Sequence, residues 1–218
     1  MKLDILGNDA QTVAHSLLGK YLVRRVNGKT KAYKITETEA YVGPHDKASH
    51  AHRGKTKRNE VMFGPPGHWY VYFTYGMHYM LNIVTGKRAR EKQVIAFSSK
   101  RSRKGPLTGP AGYPSAVLIR GIIGPISNYS FIRSNKRIVG VNQKKWKVLD
   151  GPGKLTKALK ITKALNGKIA SPKSGLWIED RGEKVNPRNI TRTPRIGIHY
   201  AEEWAQKPLR FVLIHRSR

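Results

Sequence analysis

The chain has no cysteine and few acids. With zero cysteines among 218 residues, disulfides, thiolate catalysis and cysteine-based zinc sites are all excluded. Only histidine-based metal sites stay open. No apolar run approaches the roughly 20 residues of a membrane-spanning helix, and Met1 to Lys20 lacks the charged-then-apolar layout of a signal peptide. The expected location is intracellular, cytoplasmic in a bacterium or nuclear in a eukaryote, with no membrane partner. No Pro/Ser-rich linker divides the chain, so residues 1–218 read as a single domain around one core. The 13 acidic residues face 42 lysines and arginines, a formal charge of +29. Such an excess repels itself unless a polyanion accompanies it, and nucleic acid fits better than a membrane surface.

What is present concentrates between Thr36 and Thr85. Lys29 to Tyr41 reads as a strand paired to Tyr21–Val26 through Asn27-Gly28, two residues that tolerate the positive φ of a tight hairpin. Strand alternation places Ile35, Glu37, Glu39 and Tyr41 on one side, and Thr36, Thr38 and Ala40 on the other. Paired carboxylates beside an aromatic suit general acid/base work, because repulsion and burial hold one of them poised as a base. An exposed strand of solvated acids gives the same pattern, and the strand pattern alone leans towards it. His45, His50 and His52 follow in a loop, without the helical HExxH spacing of a zinc site. A hydrogen-bonding or nucleic-acid-facing patch therefore suits them better, and neither metal nor cofactor is assigned. Arg53, Lys55, Lys57 and Arg58 suit phosphate contacts, as would any solvated basic loop.

The next strand, His68 to Tyr75, sends Tyr70 and Tyr72 to one face and Val71, Phe73 and Tyr75 to the other. Tyr75-Gly76-Met77 reads as a hairpin tip. A tyrosine there either packs under the turn or projects to wedge between bases. Lys87 to Lys104, with eight lysines and arginines against the single acid Glu91, reads as an exposed basic loop or arm. Arg120 lies inside the apolar strand Ala116 to Ile123 and must find an acidic partner or reach a polar cavity, with Glu37 or Glu39 as candidate partners. A helix is expected at Lys154 to Thr162, where Lys154 and the first amides suit a phosphate. An N-terminal helix from Asn8 or Asp9 to Leu18, strands at Trp177-Ile178, Thr193 to His199 and Leu209 to Ile214, and a helical turn at Ala201 to Ala205 complete the pattern. The fold class is α+β: a mixed, mostly antiparallel domain.

Several blocks carry a resemblance. ETEAYVG, DKASH, TKRNEVMFGPPG and YVYFTYGMHYMLNIVT, then PSAVLIRG, GPGKLTKAL and RIGIHYAEEWAQKPLRF, resemble the alkyladenine (3-methyladenine) DNA glycosylase family in order and over most of the chain. The resemblance implies a single domain on a curved antiparallel sheet, with surrounding helices and a projecting hairpin. It implies a monofunctional base-excision enzyme that flips a damaged purine out of duplex DNA and hydrolyses its N-glycosidic bond. Glu39 matches the family's general base and Arg120 the arginine that positions the water. Tyr41, His50 and Tyr72 match the residues that sandwich the base, Tyr75 the one that fills the vacated stack, and Asn82 the pocket asparagine that crowds guanine's amine. The implied partner is double-stranded DNA containing damaged purines, bound by a monomer.

Two stretches depart from that pattern. Residues 87–112 form a longer basic link than the family's, read as a DNA-backbone arm or, in a eukaryote, a nuclear-import signal, and Pro125 to Leu149 matches poorly. A non-enzymatic basic nucleic-acid-binding protein is the rival class, but it leaves Glu37, Glu39 and Arg120 without a role. A lyase would need a lysine in a dry, apolar run, and none stands out.

Overall fold

The computed structural model describes residues 4–86, 113–125 and 146–214. The basic arm and most of the 125–149 stretch lie outside the described residues. Helix α1, Ala10–Leu17, starts where the Asp9 carboxylate accepts the amides of Gln11 and Thr12. It buries Val13, Ala14 and Leu17 against the sheet. Because that cap satisfies two otherwise unpaired donors, Asp9→Ala is expected to cost about 1 kcal/mol in urea unfolding; a loss under about 0.3 would contradict the capping role.

Strands β1 (Tyr21–Val26) and β2 (Lys29–Tyr41) form the expected hairpin, with Asn27 and Gly28 at φ of 50° and 72°. They join β3 (Trp69–Thr74), β4 (His78–Thr85), β5 (Ser115–Pro125) and β7 (Leu176–Glu179) in the order β3-β4-β5-β2-β1-β7. β6 (Trp146–Asp150) extends from β5, while β9 (Arg210–Leu213) pairs with both β2 and β8 (Ile190–Thr193). Every pairing is antiparallel. Among the described residues this makes one nine-stranded sheet with few helices, a single α+β body. No described helix is long and apolar enough to cross a membrane.

The two faces of the sheet have different jobs. Trp69, Val71, Leu81, Ile83, Val117 and Ile119 point to the main core, which also takes up α1 and Leu155 and Leu159. Their alternates Tyr70, Val84 and Ala116 face a second cluster with Met62 and Phe63. On that second face, register lines up Tyr70, Asn82, Leu118, Glu39 and Arg210 across five strands.

Three expectations are corrected. Ile35 does not share a face with Glu37 and Glu39: it lies in the main core, as does Ala40. The β2–β5 register shifts on both sides of Glu37, pairing Ile35 with Ile122, Glu37 with Gly121 and Thr38 with Ile119. Thr36 and Arg120 are thus the extra residues of facing bulges, which reverse the alternation and re-aim the side chains around Glu37. The second helix, α2, spans Pro152–Ala158 rather than 154–162. It stops because Lys160 takes φ of 49° and Thr162 caps the following turn instead. The strand expected at Thr193 to His199 ends at Thr193, because Pro194 has no N–H to continue a ladder. Residues 194–198 instead form a loop that crosses to β2.

Candidate active site

The loop after β8 and the bulged centre of the sheet meet at Glu39. Its side chain is wholly buried, which overturns the exposed-strand reading of the two acids. One oxygen accepts the Ile196 backbone N–H at 3.0 Å and the other the Tyr41 hydroxyl at 3.0 Å. Arg120 stands beside it, with Nη1 3.6 Å from Oε1, outside hydrogen-bonding distance. Burial raises the carboxyl above the ordinary glutamate range. Arg120, the Ile196 amide, the Tyr41 hydroxyl and Arg195 pull the other way without cancelling it. A buried carboxylate of raised proton affinity, held on two sides and flanked by a guanidinium, can orient a water and take its proton. Glu37, its neighbour on the same face, receives Arg120 Nε at 2.8 Å and Arg210 Nε at 2.6 Å.

An aromatic group adjoins this centre. The His50 and Tyr72 rings lie 4.6 Å apart and tilted by 58°, and Tyr70 lies 5.2 Å from Tyr72. His50 Nδ1 meets the Tyr70 hydroxyl at 2.7 Å. Burial, helped by Arg58 and Arg53, lowers the His50 pKa to about 4, so the imidazole is neutral at pH 7. Burial raises Tyr72, and the nearby Glu39 charge raises it further, which links the aromatic group to the carboxylate. Asn82 is buried one row away, its amide donating to the Tyr70 carbonyl at 3.2 Å. Arg58 lies over the Tyr72 ring at 5.3 Å and donates to the Phe73 carbonyl.

The hairpin tip projects. Tyr75 takes φ of 50° and Gly76 of 64°, and Met77 N–H closes the turn on the Thr74 carbonyl. A bulky aromatic seldom occupies the first of these positions, which Asn or Gly usually fills. Tyr75 and Met77 are 75% and 74% exposed, so the tyrosine is not packed beneath the turn. Arg53, Lys55, Lys57 and Arg58 are all exposed along the preceding loop. Lys154 is exposed and paired to Asp150 at 2.7 Å. The three loop histidines go separate ways: His45 to the Tyr113 hydroxyl, His50 to Tyr70 and His52 to the Pro44 carbonyl. Among the described residues no three His, Asp or Glu side chains converge as a metal site would need.

The model of the methylpurine-DNA glycosylase family matches residues 4–96 and 107–217 of this sequence. The chain belongs to that family. A Methanocella arvoryzae protein named "Putative 3-methyladenine DNA glycosylase" is 43% identical over 199 residues, 91% of this chain and 84% of its own length. Proteins of the same name from Carboxydothermus hydrogenoformans and Natranaerobius thermophilus are 42% and 37% identical, over 94% and 98% of this chain and 90% and 96% of theirs. Within the stretch read as a basic insertion, residues 97–106 fall outside the family match.

Asp46, Arg195, Asn59, the Ile196 amide and Arg210 escaped the sequence reading. Asp46 and Arg195 form a fully buried bidentate pair at 2.6 and 2.8 Å. Arg195 also donates to the Ala40 carbonyl and lies 4.7 Å over the Tyr41 ring, fixing the loop that delivers Ile196. Asp46 accepts the amides of Val42 and Ala48 as well. Asn59 is buried and ties the basic loop together through the carbonyls of His50 and Gly54. The only sequence signal for the pair was charge within the DKASH and RIGIHY blocks.

His50 also makes stability depend on pH. As pH falls below the ordinary 6.5, the unfolded chain takes up a proton that folded His50 refuses down to about 4. Its contribution is therefore complete above pH 6.5 and is lost progressively below it. The melting temperature of the natural protein should fall more steeply between those values than that of His50→Gln. Parallel curves would contradict the buried neutral imidazole.

Proposed function

We propose that this family member excises damaged purines from duplex DNA by flipping the nucleotide into the Glu39 site and hydrolysing its N-glycosidic bond, leaving an abasic site. The observation that carries the reading is Glu39 itself. It is a carboxylate with no solvent exposure, raised in proton affinity, fixed by Ile196 and Tyr41 and left 3.6 Å short of Arg120. In the proposed step Glu39 takes a proton from water as the oxygen bonds to the sugar C1′, and Arg120 helps to position that water. The bond to the purine breaks and its electron pair leaves with the base. A purine cationic from alkylation at N3 or N7 departs neutral, whereas hypoxanthine needs a proton delivered to its ring.

Tyr41, His50 and Tyr72 would receive the flipped base. Stacking on aromatics is worth about 1–3 kcal/mol per base, and a neutral imidazole adds no repulsion towards a cationic ring. Asn82 would crowd the exocyclic amine of guanine. Tyr75, exposed on a projecting turn, suits the gap left in the stack and would offset part of the unstacking cost. Arg53, Lys55, Lys57, Arg58 and Lys154 suit the phosphates, Lys154 by exchanging Asp150 for one of them.

The test is release of free purine from duplexes containing 3-methyladenine or hypoxanthine, with borohydride added in parallel. Release without a trapped protein–DNA adduct is expected, because water rather than an amine attacks. An adduct would contradict the hydrolytic step. Tight binding with release from neither duplex would favour a non-enzymatic DNA-binding role.

A further inference from the structure

Glu37 has no part in the step above, yet two arginines from two different strands converge on it. Its Oε1 receives Arg120 Nε from β5 at 2.8 Å and Arg210 Nε from β9 at 2.6 Å. Arg210 is in turn anchored on the Thr193 hydroxyl. The arrangement depends on the bulged register, which brings Glu37 opposite Gly121; a Cβ there would lie 2.8 Å from the Glu37 Cβ. Arg120 is therefore held by its Nε on Glu37, and only its Nη1 reaches towards Glu39, at 3.6 Å.

That gap matters chemically. A guanidinium free to choose pairs with a carboxylate at about 2.7–2.9 Å, often through two hydrogen bonds. A carboxylate so paired is a weak base, because removing its charge breaks the pair. We propose that Glu37 is a positioning residue that keeps Arg120 out of a direct ion pair with Glu39, and that Arg210, sharing the same Glu37 oxygen, keeps Glu37 from drawing Arg120 away from Glu39 altogether. The inference rests on the reading of Glu39 as the base. The groups facing Glu39 are Arg120 from β5, Tyr41 from its own strand, Tyr72 from β3, and Arg195 and the Ile196 amide from the loop. Those facing Glu37 are Arg120 and Arg210. Removing Glu37 leaves Glu39, among the described residues, as the only carboxylate within ion-pair distance of Arg120.

The experiment is a pH profile of single-turnover purine release for the natural protein, Glu37→Gln, Arg120→Gln and the double variant. For Glu37→Gln the plateau rate should fall by about ten- to a hundredfold, the scale of a misplaced catalytic group, and the acid limb should move to lower pH. In the Arg120→Gln background the same change should alter the plateau by less than about twofold, since the effect runs through Arg120. A plateau unchanged by Glu37→Gln, or a loss that persists in full without Arg120, overturns the proposal. Should Glu37→Gln fail to fold, Arg210→Gln decides. It should lower the plateau and move the acid limb to higher pH, and an unmoved profile overturns the proposal. If the natural protein releases no purine, the reading of Glu39 has failed; release with unmoved profiles refutes only the role of Glu37.

Discussion

Asp46→Ala should destabilise the protein by about 3–5 kcal/mol, the usual cost of stranding one partner of a buried ion pair. Both side chains of the Asp46–Arg195 pair have zero solvent exposure. Without the carboxylate, the hydrogen-bond acceptors left to Arg195 among the described residues are the carbonyls of Ala40 and Trp204, the latter at 3.5 Å, and its Nε already has no hydrogen-bond partner among them. Neutral acceptors do not offset the desolvation of a full charge. The loss should extend beyond stability, because the pair pins the loop whose Ile196 amide holds Glu39. Purine release by the fraction still folded should therefore slow as well. Urea unfolding checks the first part, and a change under about 1 kcal/mol would show that water reaches the guanidinium or that the pair contributes little.

Much of the molecule was legible in the sequence, and what was not follows from long-range contacts. The Asn27-Gly28 turn, the alternation in β3, the Asp9 cap and the Tyr75 tip are local signals, each decided within a few residues. The reversal of faces around Glu37 was not, because it needs extra residues at both Thr36 and Arg120, which pair only once β2 and β5 have met. Glu39 could not be recognised as buried from its strand alone, since the loop that covers it lies 157 residues downstream. The same holds for Arg195, whose partner Asp46 is 149 residues away. Pro194 was the visible warning against a strand running on to His199. The resemblance to a glycosylase family pointed to the region, whereas the structure adds the loop, the bulges and the buried pair that hold it.

The largest effect is expected at Glu39. Glu39→Gln keeps the volume and a carbonyl oxygen for the Ile196 amide, turns an NH2 towards the Tyr41 oxygen, which can accept from it, and abolishes proton acceptance. General base catalysis contributes about 10²–10⁴-fold, so the rate of the chemical step should fall by that factor. In the natural protein the rate should drop as pH falls through the Glu39 pKa, which lies above the ordinary 4.5, because protonation removes the base. That acid limb should vanish in the variant, which has no carboxylate to protonate. Binding should survive, since Tyr75 and the exposed cations are untouched.

The measurement that bears most directly on this site is therefore single-turnover release of hypoxanthine and of 3-methyladenine from duplex DNA, by the natural protein and by Glu39→Gln, with duplex binding scored in parallel. Release by the natural protein, with a variant that binds equally well but turns over at least about a hundredfold more slowly, is the predicted result. A variant that releases purine at the natural rate would contradict Glu39 as the base.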